Sequence, residues 1–491
     1  MYILAFDIGT SSIKSSLVSI SGDILDTETY EYGLLYEKAG WVTQDSELWW
    51  TGARVTANQL LDRNPNLRNQ INCIGVCGHM LGCLPVDAHG IPLSHAMIHA
   101  DTRALDESEY IGKAVGHREI YRQTGSILSA QSPLAKVLWI KNNCPEIYKK
   151  TARFLQSKDY LVSKLTGNID ITDFSDASHA QWIDIHKKEY LKDVYAELSL
   201  DLDKFPALHK GTDITGYLKK PAAAALGLQA DIPVIAGGGD GACASIGSGV
   251  TTSGGEVYSC IGTTAWISYN SQTPVIDEKS RIFDIMALDG ESFGVFGTMQ
   301  AAGKCIDWAC DLFKIKDEIQ FDKEAAMAPK GSEGLIFLPY LDGERSPIFD
   351  ERARGMFFSI DANHKRPHFT RSVLEGVSFA LRSILEVYRE QKEISDLRVI
   401  GGGAQSSLWM QILSDICKTN IYLTAEKTSS ITSLGVALAA AVGIGAYKNL
   451  DEASSRIAVV KKTDPDRNIT AQYEILFEKY MRLYPQVKAI F

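Results

Sequence analysis

An apolar run, Ile232–Ala236, ends in three glycines and one carboxylate, Gly237-Gly238-Gly239-Asp240. Small residues follow as far as Gly249. A chain with this stretch must turn sharply out of a buried strand and let another group approach its backbone. The small residues predict a closely packed helix. Asp240 then stands at a strand-to-helix turn, where the helix N-terminus favours its ionised form at neutral pH. A capping acid in a tight turn is the simpler reading of the stretch alone.

The start of the chain supplies a second constraint. Tyr2–Phe6 reads as a strand that runs into Asp7-Ile8-Gly9-Thr10-Ser11-Ser12-Ile13-Lys14, and Ser15–Ser19 reads as its return strand. Hydroxyls, loop amides and one cation suit a phosphate tail, and a carboxylate suits its Mg²⁺ through water. An ordinary polar hairpin turn accounts for the same residues. Further on, Ser259-Cys260-Ile261-Gly262-Thr263-Thr264 echoes this hairpin, and Leu397–Ile400 running into Gly401-Gly402-Gly403-Ala404 echoes the triple-glycine turn. Two short echoes in the same order predict a duplicated domain, with Ala404 where the first turn has its acid.

With 491 residues, the chain has length for two to four domains. A net charge of -10 argues against a broad nucleic-acid or anionic-membrane surface. Nine cysteines without a Cys-x-x-Cys pair predict reduced thiols and a cytoplasmic protein. Cys73 and Cys77 on one strand face read as core. No apolar stretch is long enough to span a bilayer.

Several segments place candidate site residues. The strand Ile71–Cys77 ends at Gly78-His79-Met80-Leu81-Gly82, and a later apolar segment ends at His99-Ala100-Asp101-Thr102-Arg103. Asp101 and Arg103 could face a cleft, but a structural ion pair is the first reading. Residues 106 to 226 read as mainly helical. His368–Glu390 shows the 3.6-residue period of a core-facing helix. Leu434–Ala441 predicts a small-residue helix suited to close packing. Tyr473, Phe477, Tyr480, Met481 and Tyr484 predict one apolar stripe on a C-terminal helix.

In this order, the pieces resemble the FGGY family of carbohydrate kinases, nearest its xylulokinase-like branch. The likeness runs from Asp7-Ile8-Gly9-Thr10 to the region of Gly435–Tyr447. It includes Gly239-Asp240, Pro339–Pro347, Ala353-Arg354-Gly355 and Gly401–Trp409. It implies an α/β fold of two duplicated actin-like, ribonuclease-H-like domains with an active-site cleft between them. Residues 1–248 would form the first domain, with the sugar site, and 249–491 the second, with the nucleotide site. The last helix is expected to pack back on the first domain.

The resemblance implies ATP and Mg²⁺ as cofactors. Asp240 would be the base, and Asp7 would orient Mg²⁺ through water. Gly9, Thr10, Ser11, Lys14, Gly262, Thr263, Thr264, Gly303, Asp307, Gly403 and Ser407 would contact the nucleotide. His79, Met80, Leu81, His99, Asp101 and Arg103 would form the sugar site. Xylulokinases usually show Gln-Met-His-Gly and Trp-Asn-Asp-x-Arg there. Here Leu81 replaces the motif His, while His99 and Ala100 replace Trp and Asn. Leu81 cannot hydrogen-bond a hydroxyl, so the acceptor is open. A ketopentose such as xylulose leads, with a gluconate-like sugar acid or a polyol as alternatives. From another class, an actin-like ATPase or binding protein without sugar chemistry remains a reading. The expected partners are small molecules, without nucleic acid or membrane, and a homodimer is one assembly open to the chain.

Overall fold

The computed structural model describes residues 1–252, 254–424 and 430–491. Two seven-stranded mixed sheets form its frame. In the first, Tyr2–Ile8, Ser12–Ser19 and Ile24–Glu31 pair antiparallel in succession. Ile71–Gly78 runs parallel to the first strand and Pro233–Ile235 parallel to that. Ile214–Tyr217 closes the edge antiparallel. Ile3, Leu4, Ala5 and Phe6 are all fully buried, as an unbroken apolar run in a sheet covered on both faces must be.

The second sheet repeats this path. Val257–Ile261, Ala265–Ser271 and Phe293–Met299 are antiparallel neighbours. Asp396–Ile400 and Asn420–Thr424 follow in parallel, and Val459–Thr463 closes antiparallel. Phe283–Met286 adds one further strand. The duplication expected from the hairpin echo is therefore present in strand order and direction.

The paired glycine turns are not equivalent, however. Gly401–Gly403 leaves the strand next to the hairpin, so its counterpart is the turn after Gly78. The Gly237–Asp240 turn leaves the third strand, whose counterpart is Asn420–Thr424. Both turns solve one local problem, leaving a parallel strand for a helix, and local sequence cannot tell which strand is being left.

The helices Asp240–Gly247 and Ile431–Gly443 follow those equivalent third strands and pack on each other. A Cβ on Gly435 would lie 1.8 Å from the Cys243 carbonyl oxygen, and one on Gly247 would lie 2.0 Å from that of Ile431. Their backbones touch, which is what the small residues provide. Leu434, Val436 and Leu438 sit in the core beneath the first sheet with Ile3, Ala5 and Cys73. Tyr447 also donates its hydroxyl to the Ile20 carbonyl at 2.7 Å.

This returning segment corrects the expectation for the last helix. Arg467–Val487 packs instead within the second domain, where Tyr473, Phe477 and Tyr480 join the core built on Arg366–Arg389. Met481 lies off that face and is exposed, because its position has rotated past the stripe. Among the described residues, no helix is long and apolar enough to cross a membrane.

The helix crossing generates a prediction. Gly435→Ala places a methyl against backbone, so its unfolding midpoint should fall by the equivalent of about 1–3 kcal/mol. A wild-type midpoint in thermal unfolding would contradict the backbone contact.

Candidate active site

Asp240 opens the helix Asp240–Gly247, and its Oδ1 accepts the Gly241 N–H at 2.7 Å. The turn before it admits no side chains. Gly237 has φ 71°, and a Cβ there would lie 1.8 Å from the Val76 carbonyl oxygen. A Cβ on Gly239 would lie 2.5 Å from the Met80 side chain. Met80 therefore packs directly on the turn.

The carboxyl of Asp240 does not stay low, as its helix N-terminus alone suggests. Burial pushes its pKa up to about 7, and the charge of Asp7 adds to this. Asp7 lies near the end of its strand, opposite Lys14. Burial raises Asp7 as well, while Lys14 and the Cys77 thiol oppose the shift. Low dielectric and a like charge here outweigh a helix terminus worth about 1 kcal/mol.

Both hairpin turns are held by backbone contacts. Gly9 N donates to the Ser12 carbonyl at 2.8 Å, and the Gly9 carbonyl accepts the Tyr32 hydroxyl at 2.7 Å. Gln44 bonds the Thr10 carbonyl at 2.9 Å while accepting the Trp49 indole N–H. The Ser11 carbonyl accepts the Tyr32 N–H. In the second turn, Gly262 N donates to the Thr264 carbonyl at 2.9 Å. Gly303 N returns to the Gly262 carbonyl, and the Thr263 carbonyl accepts Ala302 N and Lys304 N. Gly403 packs on Ile261, so Gly262–Thr264, Gly303 and Gly403 form one surface. Asp307 and Ser407 are exposed at its margin, and Ser407 accepts Lys461 Nζ at 3.0 Å.

The candidate sugar residues divide. His79 and His99 face each other with ring centroids 6.2 Å apart. His79 is buried with neither ring nitrogen hydrogen-bonded. Burial lowers its pKa to about 3 and that of His99 to about 4, so both rings are neutral. Buried Lys136 donates to the Leu81 and Ile98 carbonyls at 2.8 and 2.7 Å and ties the two loops together. Leu81 holds a left-handed φ of 62° at the cleft wall, a strained state for such a side chain.

Asp101 and Arg103 form the structural pair instead of a cleft-facing one. Asp101 is fully buried and bonds Val42 N and, bidentately, the Arg103 guanidinium. That guanidinium stacks 3.8 Å from the Trp41 ring centre and lines a separate cavity with Trp139. The neighbouring Thr102 does line the cleft.

One cluster was not recognised from sequence. Lys158 lies fully buried among Asp159, Asp173 and Asp176, with the last two at 3.1 and 3.4 Å. Burial alone would lower Lys158, but the three carboxylates hold it well above its usual value. Burial raises Asp159 and Asp176. Asp173 accepts the Ser175 hydroxyl at 2.5 Å, and Ser175 Oγ accepts Gly239 N at 3.0 Å. The cluster thus anchors the turn that carries Asp240. Four polar residues spread over Lys158–Asp176 gave no sign in sequence that they are buried together.

A cavity of about 500 Å³ opens beside Leu81 and Thr102. Leu81, Ser126 and His179 of the first domain line it, with Phe283, Glu344 and Arg345 of the second. His179 stacks on Phe283 at 5.2 Å across the domain boundary.

Two domains of one strand path, with a cavity lined by both, define a duplicated two-domain α/β protein. Family models for the N-terminal and C-terminal domains of FGGY carbohydrate kinases match residues 2–247 and 257–444. The chain is 31% identical to the xylulose kinase of Bacillus subtilis over 99% of its own length and 97% of that protein. It superposes on ligand-bound xylulose kinase from Lactobacillus acidophilus with TM-score 0.93, and on gluconate kinase from the same organism with 0.92. Each is 25% identical, covering 99% of this chain and 98% of the other. This chain belongs to the FGGY family of carbohydrate kinases.

Two outcomes are expected from the site's electrostatics. Lys158→Met strands buried carboxylates and should cost about 3–5 kcal/mol, read as a lowered unfolding midpoint. For Asp240, the raised folded pKa means the native state holds its proton more tightly than the unfolded chain. Stability is therefore lost between about pH 4 and 7, fully so above 7. Asp240→Asn should raise the unfolding midpoint at pH 8 and leave it unchanged near pH 4. A lower midpoint at pH 8 would contradict the raised pKa.

Proposed function

We propose that this carbohydrate kinase moves the γ-phosphate of ATP to a hydroxyl of an open-chain ketopentose such as xylulose, with Asp240 as base. The observation that carries this is a half-buried carboxyl with pKa near 7 beside Met80 and Asp7. A group poised near neutrality can accept the hydroxyl proton as the phosphoryl group arrives. In a loose transition state that proton leaves late, so positioning and charge neutralisation do most of the work.

On this reading, the amides and hydroxyls of Gly9–Ser11 and Gly262–Thr264 hold phosphate oxygens, with Lys14 as a point charge. Gly303 and Gly403 give the nucleotide a flat backbone surface, and Asp307 and Ser407 border it. Asp7 and Asp240 offer hard oxygen donors in one place, which suits Mg²⁺ that keeps several waters. Among the described residues no group of three His, Cys, Asp or Glu side chains could hold a metal, so Asp7 would bind it through water. When bound, Mg²⁺ neutralises phosphate charge. Residues 1–248 then carry the base and the first phosphate loop, and 249–491 the nucleotide surface. All nine cysteines are free, which supports a cytoplasmic setting.

Xylulose leads because the named relative above, alike over nearly its whole length, is a xylulose kinase. A sugar acid is the second reading. It is favoured by the equal likeness to a gluconate kinase structure and by Leu81, which takes a hydrogen-bonding group out of the xylulokinase motif.

ADP release, measured with D-xylulose, D-gluconate and glycerol, tests the acceptor, and D-xylulose should give the highest kcat/KM. Asp240→Ala should keep nucleotide binding and lose about 10²–10⁴ in kcat. Wild-type kcat should rise with pH through about 7 as Asp240 ionises. Near-normal turnover by Asp240→Ala, or ATP consumption that no acceptor stimulates, would sink the assignment.

A further inference from the structure

The cavity lined by both domains has a polar wall, which the second domain supplies with Glu344 and Arg345. One oxygen of Glu344 fixes the loop, accepting Gln300 N and Arg345 N at 2.8 Å each. Ser346 N bonds the Thr298 carbonyl at 2.8 Å. The other Glu344 oxygen is buried without a partner, as are the Thr298 and Ser346 hydroxyls. Glu344 is only 4% exposed, and burial pushes its pKa up to about 8.

Arg345 lines the same cavity. It senses Glu344 and Glu351 but pairs with neither among the described residues. Its charge reaches the rings of His99 and His179 on the first domain. Asp342, the other acid of the loop, is tied to Lys304 at 2.6 Å. A buried carboxyl oxygen left without a partner, with a guanidinium in the same cavity, is costly unless a ligand completes it.

The donor and acceptor set narrows that ligand. A guanidinium only donates, and a carboxyl oxygen can accept from a hydroxyl. A carbonyl oxygen beside a hydroxyl answers both. A carboxylate would satisfy Arg345 but would also face the exposed carboxylate of Glu351. We propose that Glu344 and Arg345 read the hydroxyketone end of the acceptor, the end remote from the hydroxyl at Asp240. Arg345 donates to the ketone oxygen and Glu344 binds the adjacent hydroxyl. The inference rests on the kinase reading above. Asp240 and His99 belong to the first domain, and Glu344 and Arg345 to the second. An acceptor that reaches both ends therefore holds the domains closed, so recognition and closure become one event.

The test compares kcat/KM for D-xylulose, 1-deoxy-D-xylulose, which lacks the hydroxyl beside the ketone, and xylitol, in which the ketone is reduced. Wild type should prefer D-xylulose over each by about 10²-fold or more. Arg345→Met should lose the preference over xylitol, and Glu344→Gln the preference over 1-deoxy-D-xylulose. Arg345→Lys, which keeps the charge without the fork, should recover part of the first. KM for ATP should stay within about twofold in all three, which a merely structural role would not allow. An equal loss for every acceptor overturns the proposal. So does a preference for D-gluconate that Arg345→Met abolishes. Failure of the underlying kinase reading shows separately, as ATP consumption by the wild type that no acceptor stimulates.

Discussion

A single ammonium, that of Lys158, lies fully buried among three carboxylates, and the turn carrying Asp240 hangs from it through Asp173 and Ser175. Burying four such groups is expensive, and their mutual attraction repays it only when every geometry is fixed. That requirement makes the cluster a rigid anchor. It lets Gly237–Gly239 pass against Val76 and Met80 with no side chain to hold them in place. The glycines supply the room, and the ion cluster supplies the position.

Asp240 inherits its chemistry from that position. Beside Asp7, it is pushed toward neutrality by burial and like charge. The same placement that unsettles the ionised form moves its titration toward pH 7. Around it the first domain contributes neutral imidazoles, His79 and His99, and the second contributes Arg345.

Much of the frame was legible because it depends on local rules. Tyr2–Ile8 and Ser12–Ser19 pair around Gly9 as an apolar run, a polar turn and a return strand predict. The echo at Ile261–Thr264 marked the duplicated sheet. Other readings failed where local pattern meets distant packing. Gly401–Gly403 and Gly237–Gly239 look alike, yet they leave different strands of the two sheets. Asp101 and Arg103 carry the types a sugar site needs, yet they spend their charges on each other and on Trp41. The helix that returns to the first domain is Ile431–Gly443, while the final aromatic stripe stays in the second.

By itself, the sequence determined two duplicated α/β halves, the hairpin turns, and Asp240 as the acid at a glycine turn. Each follows from glycine's conformational freedom, apolar runs and repeated order along the chain. Tertiary structure alone decided the pKa of Asp240, the neutrality of His79 and His99, and the isolation of Arg345 beside Glu344. Those properties are set by which charges are brought near and how much water is removed, and residues far apart in the chain control both.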